Sequence, residues 1–360
     1  MKGLLIGGAT VLSIILGFWP GGTSRPKPTW WRMLTIASML ALFVLALGIP
    51  TAGSFKIGAA VAQSRENAYF PIRAIVESVE TGAVTMRDRM GDVQRVTLTG
   101  AAATEGAKKG EDVVLDMRFD HAGGFVAERV VASEPIFTLP LIPGLEERAR
   151  NLYFHVPTAW IAQLAWFVAL FYAFIYLRKR RLEDDARAAT AAALGALFCI
   201  LATTTGAVWA KFNWGTFWNW DPRQTSIFIV LVIYGAYFAL RSALEGEDQR
   251  ARISSIYLVL LAVPVIFFMF VFPRMSESLH PGSLQDVKAG NIGPVLSPRE
   301  EDLDPIKQVL FALGFFSWAM LFFWMLNVGV RAQLAELRLR RRRIEHEERL
   351  QTEALEATTA

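Results

Sequence analysis

Apolar residues run in long blocks through much of the chain, and polar residues are confined to the stretches between them. A helix needs about 20 such residues to cross the hydrocarbon core of a bilayer. Six blocks have this character: Met33 to Ala52, Pro157 to Leu177, Ala188 to Trp209, Ser226 to Leu240, Ile253 to Phe272 and Ile306 to Val330. The fourth is short as written and is expected to extend into its flanks. A further run, Gly3 to Trp19, follows Lys2 and ends in Pro20-Gly21-Gly22. It lacks a small-residue cleavage site of the usual kind, which favours retention in the membrane over removal as a signal segment. Retained, it is a short extra helix or an interfacial hairpin.

The pattern changes period between the first and second blocks. From about Gly53 to Arg150 the segments "FPIRAIVESVE", "AVTMRD", "VQRVTLTG", "EDVVLDMRFD" and "GFVAERVVAS" are short, valine-rich and partly alternating, with turn signals such as "DHAGG" between them. About five strands in that length predict a small all-β, OB-like domain. The fold class is therefore an all-α polytopic membrane protein of six clear transmembrane helices, with a seventh possible at the N-terminus, and an inserted OB-like extracytoplasmic domain. The domain plan reads 1–32 as hydrophobic segment and basic linker, 33–52 as the first clear helix, 53–150 as the β insert, 151–330 as the helical core, and 331–360 as a charged helical tail. The hairpin "RFDHAGGFVAERVVA" resembles the closing hairpin of the OB-fold haem chaperone of cytochrome c maturation. The following "SEPIFTLPLIPG" lacks that chaperone's haem-attaching histidine motif, so no haem site is carried over, and His121 reads as a solvated turn residue.

Composition agrees with the pattern, since 53% of the 360 residues are hydrophobic, including 25 Phe and 11 Trp, too apolar for an ordinary soluble domain. Charge then orients the helices. Basic residues gather in "TSRPKPTWWR" (23–32), "RKRRLEDDAR" (178–187), the 241–252 loop and the tail from Arg331. All four lie on the cytoplasmic side if basic loops stay inside, which puts 151–156, the 214–226 loop and 273–305 on the outer face. Basic residues beside apolar runs face lipid headgroups, and nucleic acid is not expected as a partner. Cys199 is the one cysteine, which excludes an intrachain disulfide and a thiolate metal cage. Haem cannot be attached through CxxCH, because that motif is absent.

Candidate chemistry lies where the outer segments converge. Of four histidines, His121 is in the insert and His346 in the tail. His155 stands in "YFHVPTAW", before a proline suited to a first helical turn, and His280 in "SESLHPG". Two imidazoles on one face can supply both axial positions of a haem iron, or serve as interfacial hydrogen-bonding residues. The loop "WGTFWNWDPRQTS" crowds Trp214, Trp218 and Trp220 beside Asp221 and Arg223, with Trp209 just upstream. Tryptophan accumulates at membrane interfaces, yet this density also suits a flat macrocycle, and Gly215 permits close backbone approach. If 214–218 is helical, Trp214 and Trp218 share a face and Trp220 flanks the site. Asp221-Pro222 reads as an N-cap pair, recurring as Asp304-Pro305. Arg223 near the hydrocarbon boundary must snorkel or find an anion, for which a propionate and Asp221 compete. Lys211 and Arg274 are weaker candidates or snorkelling residues.

"YFHVPTAW", "GAVWAKFNWGTFWNWD" and the later His280 occur in the order found in the haem exporter protein C (CcmC) family of cytochrome c maturation, and the loop resembles its tryptophan-rich WWD signature. The resemblance covers the six clear helices and their outer loops, and does not cover the insert, the N-terminal run or the tail. It implies a protein of the bacterial inner membrane that binds haem b non-covalently and transiently on the periplasmic face. His155 and His280 would be axial ligands, with Trp214, Trp218, Trp220 and Asp221 in the presenting loop and Arg223 near the propionates. The implied partners are a periplasmic haem chaperone, an ABC-type maturation complex and membrane lipid. Phe217, Pro222 and Gln224 depart from the family pattern, while the aromatic character and the flanking charge pair are kept. No nucleotide-binding loop or nucleophile constellation is present, so relay is expected rather than catalysis. The haem-lyase branch of the WWD group, a b-type electron carrier, and a haem-free scaffold are the alternatives.

Overall fold

Helices fill the apolar blocks, because a chain in lipid must satisfy its backbone internally. The structure is a computed structural model, and it describes residues 2–64, 68–120, 124–142, 145–280 and 305–359, together with 283, 285 and 288. It falls into two units: one comprises Met1–Met39, Phe154–Asp302 and Phe311–Ala360, the other Leu40–Tyr153 and Leu303–Leu310. Among the described residues, five helices are long and apolar enough to cross a membrane, or six when a bent pair counts as one span.

In the helical unit, α1 (Lys2–Phe18) is a 17-residue helix, which reaches only about 25 Å at 1.5 Å per residue and so falls short of an ordinary span. Lys27 holds its end: the buried ammonium donates to the carbonyls of Gly17 (2.6 Å) and Pro20 (3.2 Å). α2 (Thr29–Gly48) sits about four residues earlier than the sequence placed it. Pro50 disfavours helix in the residue before it, and Thr51–Ala52 pair as a strand instead.

The core helices are α5 (Leu152–Lys179), α6 (Leu182–Trp214) and α7 (Pro222–Ser242). α7 extends at both ends beyond its apolar block, as expected. Ile253 to Phe272 is not one straight span, which corrects the sequence reading. α8 (Glu247–Leu260) breaks at Leu261, and α9 (Ala262–Ile266), a π turn (Phe267–Val271) and α10 (Phe272–Met275) follow, with a 44° bend. Pro264 explains the break and Pro273 follows the π turn; each removes an amide donor and crowds the carbonyl four residues back, that of Leu260 and that of Met269. α11 (Pro305–Thr359) is continuous for 55 residues, so the charged tail is not a separate helix. After Val330 it contains no Gly or Pro and is rich in strong helix formers.

Polar contacts gather the basic segments at one end of this unit. Arg241 forms a fork with Asp185 (2.8 and 2.6 Å). Arg187 reaches Thr23 (3.0 Å) and Ser24 (2.7 Å), and the Asn327 amide donates to the carbonyls of Thr23 (3.0 Å) and Arg25 (2.7 Å). The described residues 154–156, 214–226 and 273–280 share the opposite end, about 50 Å along the 33-residue α6.

The second unit carries the predicted OB-like domain. Strands β2 (Tyr69–Glu80), β3 (Ala83–Asp88), β4 (Val93–Leu98), β5 (Asp112–Asp120) and β6 (Gly124–Ser133) close into a barrel ordered β2-β3-β4-β6-β5, with β4 and β6 parallel. Two short helices accompany the strands: α3 (Phe55–Ser64) precedes β2, and α4 (Gly100–Glu105) joins β4 to β5. Alternate residues such as Phe70, Ile72, Leu115, Met117 and Phe125 fill the interior, because successive strand side chains point to opposite faces. Arg73, buried, forks onto Asp112 (2.7 and 3.0 Å) and donates to the Pro135 carbonyl (2.6 Å). The chain enters and leaves the barrel side by side: β1 (Thr51–Ala52) pairs in parallel with β7 (Leu139–Pro140). Arg150 donates to the Ala46 carbonyl (2.7 Å) and Thr51 (3.0 Å). His121 and Asp304 lie outside the described residues, and His346 is exposed on α11.

Candidate functional site

At the end of the helical unit opposite the basic segments, α5, α6, α7 and the π turn surround a cavity lined by His155 and His280, with Trp214, Trp218, Asp221 and Arg223 among its other walls. Small and apolar side chains, among them Ala159, Ala202, Ala207, Ile227 and Val230, line the rest.

His155 lies in the first turn of α5. That helix begins at Leu152, so Pro157 is its sixth residue and not a first-turn proline, which corrects the sequence reading. The proline brings no amide to the preceding turn, and the Thr158 hydroxyl donates there to the carbonyls of Phe154 and His155 (both 2.9 Å). The ring is held from α6. His155 Nδ1 is 3.0 Å from Thr205 Oγ1, whose own hydroxyl lies 2.8 Å from the Leu201 carbonyl and 3.2 Å from that of Ala202. A hydroxyl has one proton to give. With that proton on a backbone carbonyl, Thr205 accepts from Nδ1–H, and Nε2 keeps its lone pair. Gly206 makes room: a Cβ there would sit 2.8 Å from His155 Cε1.

His280 follows α10 in a short non-helical segment that bends at Leu279 and His280, and its ring centroid is 6.5 Å from that of His155, the planes inclined at 51°. Two imidazoles bound to one metal from opposite sides, with bonds of about 2.0–2.1 Å and roughly 1.1 Å from nitrogen to ring centre, have centroids about 6.3 Å apart. Spacing and tautomer thus suit one metal between the rings. Among the described residues no cluster of three or more His, Cys, Asp or Glu is present, so a metal held here by the described residues brings its remaining ligands with it.

The tryptophan loop is not helical, contrary to the conditional reading of 214–218. α6 ends at Trp214, where Gly215 takes the left-handed conformation (φ +86°) and its amide donates to the Lys211 carbonyl (3.1 Å). Trp214 and Trp218 nevertheless both line the cavity, with Trp209 beside them. Trp220 does not line it. It is 63% exposed, packs edge-on against Trp218 (5.6 Å) and Phe228 (6.0 Å), and has a left-handed backbone (φ +56°). Gln224 pins the loop from α7, accepting from the Asn219 amide (2.9 Å).

Asp221 is the N-cap of α7 with Pro222 at the first position, and its Oδ1 accepts from the Arg223 amide (2.9 Å). The same carboxylate accepts from the Ser278 hydroxyl (2.9 and 2.8 Å) and the Leu279 amide (2.8 Å). Lys211 donates to the Gly215 carbonyl (2.9 Å) and Arg274 to the Phe270 carbonyl (2.5 Å), so both serve nearby backbone. Sequence reading missed Thr205, Gly206 and Ser278. The run Thr203-Thr204-Thr205-Gly206 inside an apolar helix was the available signal for the first two.

Fold and site together define a multi-pass membrane protein with a histidine-paired, tryptophan-walled pocket at one end of its bundle. The chain belongs to the haem exporter protein C family, whose model, described as "Heme exporter protein C", matches residues 144–344, more than half of the sequence. A "Heme exporter protein C" from Rhodobacter capsulatus is 28% identical over 204 residues, covering 57% of this chain and 80% of the relative. One from Paracoccus denitrificans is 30% identical over 190 residues, 53% of this chain and 75% of the relative. A "Putative cytochrome c biosynthesis ccmC-like mitochondrial protein" of Marchantia polymorpha is 35% identical over 124 residues, 34% and 52%. The family match begins beyond the barrel, which is consistent with a domain inserted ahead of the shared core.

Proposed function

We propose that this protein holds haem b, non-covalently and transiently, between His155 and His280, and presents it to a periplasmic haem chaperone. Family membership gives the coarser role, haem handling for cytochrome c maturation in the membrane. The observation that carries the finer reading is the 6.5 Å separation of two imidazoles in an apolar, aromatic cavity. Haem is the cargo. Nε2 of each ring would take an axial position, Trp214 and Trp218 would offer ring surface, and Arg223 would meet the propionates through paired hydrogen bonds. The site would face the periplasm from the bacterial inner membrane, with the basic segments in the cytoplasm, and an ABC-type partner complex would release the loaded chaperone. The chain would move haem without altering its macrocycle, forming and releasing only the bonds between the histidine nitrogens and the iron. Both histidines stand toward one end of the bundle, which favours this over a b-type electron carrier with haem buried between helix centres.

The test is the absorption spectrum of the purified protein. Wild type is expected to carry low-spin haem, His155→Ala or His280→Ala to lose that signature, and the double variant to lose haem. Full low-spin haem in the double variant would sink the assignment, and no haem in wild type would favour a scaffold.

A further inference from the structure

We infer that Asp221 and Ser278 form a strap that positions His280 and ties it to the tryptophan loop. The strap rests on the haem reading only for its consequence, because its geometry stands by itself. The segment after α10 has little apolar anchorage: Ser276 is extended and Leu279 is 53% exposed. Its described anchors are polar. Asp221, 7% exposed, receives the Ser278 hydroxyl, the Leu279 amide and the Arg223 amide. Ser278 Oγ in turn accepts the His280 amide at 3.0 Å. A carboxylate shielded from water makes strong hydrogen bonds to such donors. One side chain therefore caps α7, ends the tryptophan loop and fixes the two residues before His280.

The linkage has a mechanical consequence. Trp220 directly precedes Asp221, is 63% exposed and has a left-handed backbone that costs a non-glycine residue energy. A partner that grips Trp220 and shifts the loop moves Asp221, and the donors of Ser278 and Leu279 lose their acceptor. The loop movement and the loosening of His280 become one event. Asp221 and Ser278 are positioning residues in this scheme, acting on haem only through His280.

Two measurements on the full-length protein test this. In the haem-free state, amide exchange of a peptide covering 275–280 is expected to be about tenfold faster in Ser278→Ala and in Asp221→Asn than in wild type, the size expected for one charge-assisted hydrogen bond. Ser278→Thr should restore the wild-type rate, and the double variant should be no faster than either single one, since both break the same linkage. In the haem-loaded state, Ser278→Ala should shift the spectrum from low to high spin, and added imidazole should restore it. Unchanged exchange in Ser278→Ala would overturn the strap. Faster exchange with an unchanged spectrum would overturn its role in positioning the ligand. Wild-type protein without haem would instead defeat the haem reading, and the exchange experiment would still decide the strap.

Discussion

One hydroxyl bears on which nitrogen of His155 is available to the cavity. With its own proton on a carbonyl of its helix, Thr205 accepts from Nδ1–H, the tautomer that leaves the Nε2 lone pair free. Partners of this kind orient a ligating imidazole and raise its basicity. Thr205→Val keeps the shape but removes the oxygen that His155 Nδ1 meets, at a cost of about 1–3 kcal/mol. The expected result is at least a tenfold loss of haem affinity and a displaced iron midpoint potential, with Thr205→Ser close to wild type; equilibrium haem titration and redox titration check both. His155, His280, Trp214 and Trp218 were legible in the sequence because their residue types are conspicuous and loop parity places them on one face. Thr205 and Ser278 were not, because threonine in an apolar helix and serine in a loop are ordinary. Only the fold reveals what their oxygens meet.

Helices and strands were legible by period, and their interruptions were less so. Six apolar blocks gave six helical regions, and short alternating segments gave a five-stranded barrel. The break between α8 and α9 is hard to read in the sequence because the block is apolar throughout, and Pro264 is its one local signal. The loop from Gly215 onward was treated as a conditional helix, although glycine beside a block end is a stop signal. At this scale the α1–α2 turn offers a pH test. Burial lowers Lys27 from its usual value near 10.5 to about 8. Between about pH 8 and 10.5 the unfolded chain holds a proton that the folded chain has released, so stability rises with pH through that window and is flat below it. Thermal melting of wild type from pH 7 to 10.5 should show the rise, and Lys27→Met should not.

For the whole molecule, the sequence supplied an order of parts and a charge asymmetry, and those were enough to predict a membrane bundle interrupted by a β domain. Neither could reveal how the interruption is joined. β1 and β7 run in the same direction with Thr51 opposite Leu139, about 4.8 Å apart as neighbouring strands are. The polypeptide thus leaves for the barrel and returns, some ninety residues later, to the spot and heading it departed from. A chain joined from Pro50 to Leu139 through two or three glycines would follow nearly its original course. Such a shortened protein is expected to insert, fold and take up haem with wild-type affinity, as read by yield and haem titration. Failure would mean that the barrel's presence sustains the bundle. Success would make the detour a removable cassette, and the same junction a place to splice in some other domain.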